Sequence, residues 1–530
     1  MTSRPARSRA DRPPLDGPAT PGHVSPLAGR ADDTVAVVLR RHAVRAPDRP
    51  FLLFEREPGR TETTTWGELD ARVGATAAAL HRRGVRAGDR FHVHLANCPE
   101  FYDLWFAAAL LGAAIVPSNP LSTPDELSYL IDHAGCRLSV TAPDLRAAVD
   151  KAGAEQIVGI DEEWVKPGDA WDEEPPAAPA DPLGVLYTSG TTSRPKGVLV
   201  THAAYLHCGD VVAGHLRLRP EDRNLVVLPL FHGNAQYYST MSALVTGASI
   251  ALAPRFSASR FAEQAAAMEA TVASLFAAPI RMILAAKPTD HDAAHRLRIV
   301  LFSQNVSDAQ HAEFERRFSV PLAQLYGMTE TVFPPTINPL YEERRAASIG
   351  RAVLGARLRI LSPNGVDVEP GEPGELLVGG EPGRTLMAGY LENPDATAEA
   401  LRDGWLHTGD TVRADADGYL HFVDRRKDMI KRAGENVASG EVERVVNEHP
   451  AVFESAAVGV PDEMRDEAIL VYVVLAQGAT VSADALLAHC QERLARFKVP
   501  DAVEFVDELP RTAVGKVQKH LLRSRSTPPG

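Results

Sequence analysis

The stretch YTSGTTSRPKG, Tyr187 to Gly197, concentrates groups that bind anions. Thr188, Ser189, Thr191, Thr192 and Ser193 supply a row of hydroxyls, Gly190 admits a ligand close to the backbone, and Arg194 and Lys196 add positive charge. Such a loop can wrap the oxygens of a polyphosphate. It nearly spells the phosphate loop of the NTPases, G-x-x-x-x-G-K-[ST]. Gly190 and Lys196 keep that spacing, but Pro195 stands where the second glycine should be. Gly197 replaces the hydroxyl residue that would hold Mg²⁺. Taken alone, the loop is compatible with a damaged site, a nucleotide site of another class, or a surface turn.

Elements on either side must hold this loop. LGVLY (183–187) reads as an apolar strand, and GVLVTH (197–202) resumes the chain as a strand. Around them, short apolar strands alternate with helical stretches: FLLFE (51–55), RFHVHLA (90–96), VVLPL (226–230), SIALA (249–253), ATVASLFAA (270–278) and RIVLFS (298–303). TWGELDARVGATAAALHRRG (65–84) has the spacing of an amphipathic helix. This alternation predicts layered α/β structure. Asp33 is the expected N-cap of the first helix. From about Ser348 the texture changes to short strands joined by Gly, Pro and Asn turns, as in a small β-rich subdomain over about 348–424. Beyond residue 427, helices over 440–448 and 483–494 and strands near 453–460 and 468–475 predict a compact α+β unit. The expected organisation is a disordered tail over 1–33, a large N-terminal domain over 34–426 and a small mobile C-terminal domain over 427–530, with DRRKDMIKR as the hinge.

Composition excludes several classes. The 530 residues are too many for one core. A net charge of −13 argues against a nucleic-acid or anionic-membrane binder. The longest apolar run, WFAAALLGAAIV (105–116), falls short of the roughly 20 residues a span needs and reads as a buried helix running into a strand. The N-terminal stretch has no apolar h-region. Cys98, Cys136, Cys208 and Cys490 are scattered and form no C-x-x-C pair, so reduced thiols and a cytoplasmic setting are expected.

Downstream motifs decide what the loop is. LPLFH (228–232), YGMTE (326–330), WLHTGD (405–410), DRRKDMIKRAGEN (424–436) and LPRTAVGKVQK (509–519) follow it in order. With YTSGTTSRPKG they resemble the adenylate-forming (AMP-binding) superfamily of acyl-CoA synthetases, luciferases and carrier-loading adenylation domains. The resemblance runs from Asp33 to His520. LANCPEF, SGTTSRPKGV and DMIKRAGENV look like the acid:CoA ligases of the carnitine/crotonobetaine-CoA type. It implies a reaction in two steps. A carboxylate attacks the α-phosphate of ATP to give acyl-AMP and pyrophosphate, and the CoA thiol then takes the acyl group and releases AMP. It also implies the roles. Thr188 to Ser193 and Lys196 form the phosphate loop. Glu330 is the Mg²⁺ ligand, Thr329 bonds the α-phosphate, and Tyr326 with Gly327 packs at the adenine. Asp410 and Arg425 take the ribose. Lys516 is the adenylation lysine, Lys427 the hinge, and Gly434 lines the pantetheine tunnel. His232 is expected to act as a gate between acid pocket and CoA tunnel rather than as a base for the thiol. ATP or AMP, Mg²⁺ and coenzyme A are the implied cofactors. The implied partners are a small carboxylic acid and CoA, with no nucleic acid, no membrane span, and a monomeric or homodimeric state.

The acid pocket is expected to draw on Gly233, Asn234, Ala235, Gln236, Tyr237 and Tyr238, then on Thr331, Val332 and Phe333. None is charged and several are aromatic, which favours a neutral, bulky or moderately apolar acid over carnitine. Two positions depart from the family pattern. FSQNVSD (302–308) replaces a small-residue stretch that packs on adenine, and Ala433 stands where many relatives have Gly. Gln304 and Asn305 either meet the adenine edge or weaken ATP use, so a ligase reduced to the thioester half-step stays open. So does an adenylation enzyme loading a separate carrier protein. A hydrolytic NTPase is disfavoured by Pro195 and Gly197, and a non-catalytic binding module by the joint presence of Lys516, Glu330 and Asp410.

Overall fold

The structure is a computed structural model that describes residues 15–16, 32–162, 164–166, 168–188, 194–425, 428–432, 435–462, 466–511 and 517–525. Ser189, Gly190, Thr191, Thr192, Ser193, Lys427, Ala433, Gly434 and Lys516 lie outside the described residues, and Arg425 is described by its backbone alone.

Parallel strands build the first large sheet, as the α/β alternation predicts. In spatial order it runs Arg351–Ala352, Thr336–Ile337, Leu322–Tyr326, Ile299–Ser303, Val272–Phe276, Arg223–Val226, Ser249–Leu252, Pro50–Glu57 and Arg60–Thr65. Neighbours from Leu322–Tyr326 through Pro50–Glu57 are parallel, and both margins are closed by antiparallel pairs. Val272–Phe276 and Ser249–Leu252 are buried along their whole length, as covered parallel strands must be. The second sheet runs Gly389–Tyr390, Lys196–Thr201, Pro182–Thr188, Ala114–Pro117, Arg90–His94, Leu138–Thr141 and Gln156–Gly159.

Helix Pro99–Leu111 belongs to the largest core cluster. Pro99 opens it, Gly112 closes it at φ 68°, and Trp105, Phe106 and Tyr102 are fully buried. It leads directly into Ala114–Pro117, as the apolar run predicts.

Two local expectations are corrected. Thr34, not Asp33, caps helix Val35–Arg45, its hydroxyl accepting from the Val37 N–H. Asp33 instead takes a two-point ion pair from Arg41 at 2.8 and 2.7 Å. The strand expected over 226–230 stops at Val226. Pro229 cannot donate to a ladder, and the Asn97 side chain takes over: its amide donates to Leu228 O at 3.0 Å and accepts from Leu230 N at 2.8 Å. The chain therefore leaves the sheet and carries His232 towards the strand ends.

The β-rich subdomain is an antiparallel sheet of Arg357–Leu361, Gly374–Gly379, Trp405–Ala414 and Leu420–Arg425, with Leu401–Arg402 at one edge. Leu15–Asp16 add a short rung on Arg357–Leu358. The C-terminal unit has a sheet of Glu435–Val437, Ile430–Arg432, Asp466–Leu475, Val452–Asp462 and Ala502–Phe505. Helices Ser439–Asn447 and Ala483–Gln491 share its core through Val442, Val446, Ile469, Val471 and Leu486. No described helix is long and apolar enough to cross a membrane.

One turn sets the register of the hairpin that pairs Asp410 with Arg425. Asp415 Oδ1 accepts from the N–H groups of Asp417 and Tyr419 at 3.0 and 2.9 Å. Its Oδ2 accepts from Arg345 at 2.6 Å and from His421 Nε2 at 3.0 Å. Burial alone would raise this carboxyl, but His421, the backbone donors and Arg345 together bring it down to about 2. A depressed carboxylate contributes stability above its unfolded value and loses it as pH falls through the folded one. Asp415→Asn should therefore cost about 1–2 kcal/mol at neutral pH. That cost should shrink as pH falls from 3.8 to about 2. Denaturant unfolding across that range checks it; a constant difference would contradict the assignment.

Candidate active site

A cleft of about 2250 Å³ opens where the two large sheets, the β-rich subdomain and the C-terminal unit meet. It lies at the carboxyl ends of the parallel strands Ile299–Ser303 and Leu322–Tyr326, the usual place for a ligand in an α/β sheet. Thr188, Lys196, His232, Tyr326, Gly327, Thr329, Glu330 and Asp410 all line it. The described part of the site thus gathers residues that sequence reasoning took from separate motifs.

Strands Pro182–Thr188 and Lys196–Thr201 form an antiparallel hairpin, with Thr188 opposite Lys196. The loop between them therefore enters a strand and not a helix. This separates it physically from the NTPase loop, whose anion sits on a helix N-terminus. Gly197 is required by that pairing: a Cβ there would lie 2.8 Å from Val185 Cγ1. Tyr129, unnoticed in the sequence, steadies the loop's end. Its hydroxyl donates to Pro195 O at 2.9 Å, and the Arg194 guanidinium lies 5.1 Å from its ring centre.

Tyr390 is the second residue that sequence reasoning missed. Its hydroxyl donates to Glu330 Oε1 at 2.9 Å, and the Lys196 ammonium lies 4.8 Å from its ring centre. Burial first, and then the Glu330 carboxyl, push the phenol upward, so it stays a donor. One side chain thus spaces a carboxyl and an ammonium across the cleft. Gly389 and Tyr390 pair with Leu199 and Val198 of the strand that begins at Lys196. That pairing could signal Tyr390 only once the sheet is known.

Tyr326 donates to Asp410 Oδ2 at 2.7 Å. The Asp410 backbone is fixed by Thr408, whose hydroxyl accepts from Asp410 N at 3.1 Å and donates to Leu376 O at 2.7 Å. Gly409 holds φ 68° at the irregularity in this strand opposite Leu376. Gly327 must be a glycine, because a Cβ would lie 2.4 Å from the Tyr238 hydroxyl. Among the described residues no group of three His, Cys, Asp or Glu could hold a metal by itself. A single carboxyl such as Glu330 would fit Mg²⁺, which keeps waters and takes phosphate oxygens.

His232 Nδ1 accepts from Asn234 N at 3.1 Å, and the ring meets Phe276 edge-on at 5.2 Å. In the neutral ring the proton then sits on Nε2, so neither ring nitrogen offers a free lone pair to a thiol. Residues 234–241 form a π-helix, a form that often marks functional sites. Its register corrects part of the acid-pocket expectation. Gly233, Asn234, Tyr237 and Tyr238 line the cleft, whereas Ala235, Gln236, Thr331, Val332 and Phe333 are buried away from it. Gln236 is taken up by Tyr205 and Leu230 O at 2.6 and 2.7 Å, and Thr331 by Met328.

Gln304 and Asn305 also line the cleft. The Gln324 amide donates to Gln304 O at 2.8 Å and Asn305 Oδ1 at 2.9 Å.

The C-terminal unit closes one wall through polar contacts. Asp424 accepts from the Ser439 hydroxyl at 2.7 Å, and Lys519 reaches that hydroxyl at 2.5 Å and Glu443 at 2.6 Å. Burial opposes the charge on Lys519, but Glu443 and Asp424 hold its ammonium above the ordinary range. Glu454 pairs with Arg511 and lies 4.0 Å from Arg281. Arg511 and Val517, which bracket residues 512–516, both line the cleft and pair as an antiparallel bridge.

Comparison with known proteins agrees with this geometry. Residues 39–391 match the AMP-binding enzyme family, and residues 441–516 match the AMP-binding enzyme C-terminal domain. The crotonobetaine/carnitine–CoA ligase of Proteus mirabilis is 37% identical over 89% of this chain and 95% of its own. The ATP-bound crystal structure of MatB from Rhodopseudomonas palustris superimposes with a TM-score of 0.84 at 27% identity, covering 93% of this chain and 99% of its own. The o-succinylbenzoate CoA synthetase MenE of Bacillus subtilis, bound to its acyl-adenylate, gives 0.83 at 29% identity, covering 93% and 98%. This chain belongs to the AMP-binding enzyme family and is an ATP-dependent, adenylate-forming ligase of the acyl-CoA synthetase type.

Proposed function

We propose that this ligase activates a neutral carboxylic acid through an acyl-adenylate and passes the acyl group to the CoA thiol, with Lys516 serving the first step alone. The observation that carries this reading is the convergence of Thr188, Lys196, Thr329, Glu330 and Asp410 on one cleft whose wall includes both flanks of residues 512–516. The polyphosphate and the acid are both anions, so the site must offset charge where they meet. Lys196 and the hydroxyls of 188–193 hold the phosphates, and Thr329 bonds the α-phosphate. Glu330, oriented by Tyr390, holds Mg²⁺, which supplies charge neutralisation when bound. Asp410, oriented by Tyr326 and flanked by Arg425, takes the ribose hydroxyls.

Lys516 reaches the developing charge during adenylation. The small domain over 427–530 then pivots about Lys427, and Gly434 lines the path of the pantetheine arm. The Proteus relative is named for crotonobetaine and carnitine. The cleft wall at Gly233, Asn234, Tyr237 and Tyr238 brings no carboxylate to a cationic acid, which supports a neutral one here.

Two measurements test these roles. Lys516→Ala should abolish acid-dependent ATP–pyrophosphate exchange while thioester formation from supplied acyl-AMP persists. Equal loss in both steps would overturn the assignment. Tyr390→Phe keeps the ring beneath Lys196 but frees Glu330. It should lower kcat/KM for acyl-AMP formation roughly tenfold, the effect of about 1–2 kcal/mol, and raise the Mg²⁺ concentration needed for half-maximal rate. An unchanged Mg²⁺ dependence would remove Tyr390 from this role.

A further inference from the structure

Among the described residues, one side chain lining the cleft keeps buried polar atoms without a partner. Asn234 is only 3% exposed, and neither Oδ1 nor Nδ2 has a hydrogen-bond partner among those residues. Its backbone is fixed, because its N–H donates to His232 Nδ1 at 3.1 Å. The surrounding π-helix is also fixed. Thr240 donates to Ala235 O at 2.8 Å, and Ser242 donates to Tyr238 O at 2.5 Å. The neighbouring amide, Gln236, is fully buried with both its ends bonded. Buried amides in proteins are nearly always paired in this way. Asn234 is the exception on this helix, and it lines the cleft beside His232.

Tyr238, four residues on, lines the same cleft, and its hydroxyl sits against Gly327. Burial pushes that phenol well upward, so it offers a donor and never an anion. The wall therefore presents an amide that can both give and accept a hydrogen bond, beside a phenol.

We infer that Asn234, with Tyr238 beside it, reads a neutral hydrogen-bonding group on the acyl portion of the acid, a hydroxyl, ketone or amide. The inference rests on the proposed ligase reading and names the substrate class within it. The polarity of the amide decides the class. An ammonium or a second carboxylate would be a charge buried against neutral partners alone, the costly case. A hydroxyl or amide satisfies both ends, and a ketone takes Nδ2 and the Tyr238 hydroxyl together. A hydrocarbon acid leaves both amide atoms unpaired and dry, the situation in which a site rejects an analogue most strongly. Asn234 is on this account a specificity-determining residue.

The test uses the full chain with ATP, Mg²⁺ and CoA, and follows AMP release. Hexanoate is compared with its monohydroxy and mono-oxo derivatives, and methylbenzoates are compared with the matching hydroxy- and carbamoylbenzoates. The best oxygenated probe should exceed its hydrocarbon counterpart at least tenfold in kcat/KM. Asn234→Leu should erase or invert that ratio while the KM values for ATP and CoA stay within about twofold. Asn234→Ser, which keeps a donor and an acceptor, should restore part of it. Equal use of both probe types by the wild type overturns the inference, and so does a preference that survives Asn234→Leu. In both cases AMP release continues, so the ligase reading stands. Should Asn234→Leu fail to fold, the wild-type ratio and Asn234→Ser decide. No AMP release with any probe would remove the ligase reading and this inference with it.

Discussion

Two tyrosine hydroxyls hold two buried carboxyls of the cleft, Glu330 and Asp410, and the layers of the site meet at these bonds. A carboxyl taken out of water is costly unless donors compensate it. Glu330 and Asp410 are only 7% and 3% exposed, and each receives a phenol. The two bonds also join different layers. Tyr326 ends a strand of the first large sheet, and Asp410 belongs to the β-rich subdomain. Tyr390 lies on the edge strand of the second large sheet, and Glu330 follows the first. The three sheets of the large region therefore meet at the carboxyls that orient the nucleotide and its metal in the proposed function. A shift of any layer would be felt at one of the two bonds.

The C-terminal unit meets this frame differently. It meets the large region at the cleft where Ser439 donates to Asp424 and where Glu454 approaches Arg281, each backed within the unit by a cation, Lys519 or Arg511. A polar contact surface of this kind is typical between domains of one chain. The unit has its own core around Val442, Ile469 and Leu486, so it does not need the large region to bury its strands. In the proposed function this unit serves two chemical steps in turn, which a wall built this way suits. The dry part of the site, around Asn234, Tyr237 and Tyr238, stays with the large region.

Much of the site was legible because its chemistry is carried by residue types at fixed spacing. Hydroxyls beside a lysine, a glutamate in YGMTE and an aspartate in WLHTGD can be read without knowing where the chain turns. What escaped depends on partners distant in sequence. Tyr390 is sixty positions from Glu330 and Tyr129 sixty-six from Pro195, and nothing local marks either. The strand that stops at Val226 was unreadable for the same reason, since Asn97 comes from a separate motif. At the first helix, Asp and Thr are both good caps, and the choice of Thr34 was made by Arg41 claiming Asp33. Which of residues 234–238 would face the cleft was not readable without knowing that residues 234–241 wind as a π-helix.

The unusual segment FSQNVSD shows how a departure from a family pattern can be absorbed. Gln304 sits at φ 72°, a conformation that costs a side-chain-bearing residue about 1–3 kcal/mol unless its surroundings impose it. Gln324, on the adjacent parallel strand, imposes it with one buried amide that bonds both Gln304 O and Asn305 Oδ1. Arg281 adds a third bond, to Asn305 O at 2.7 Å. Arg281 is the same residue that approaches Glu454 of the C-terminal unit. The segment is thus tied both to the sheet that carries Tyr326 and to the wall that closes over it. The polar residues of this segment are built into the cleft wall by bonds to two different layers.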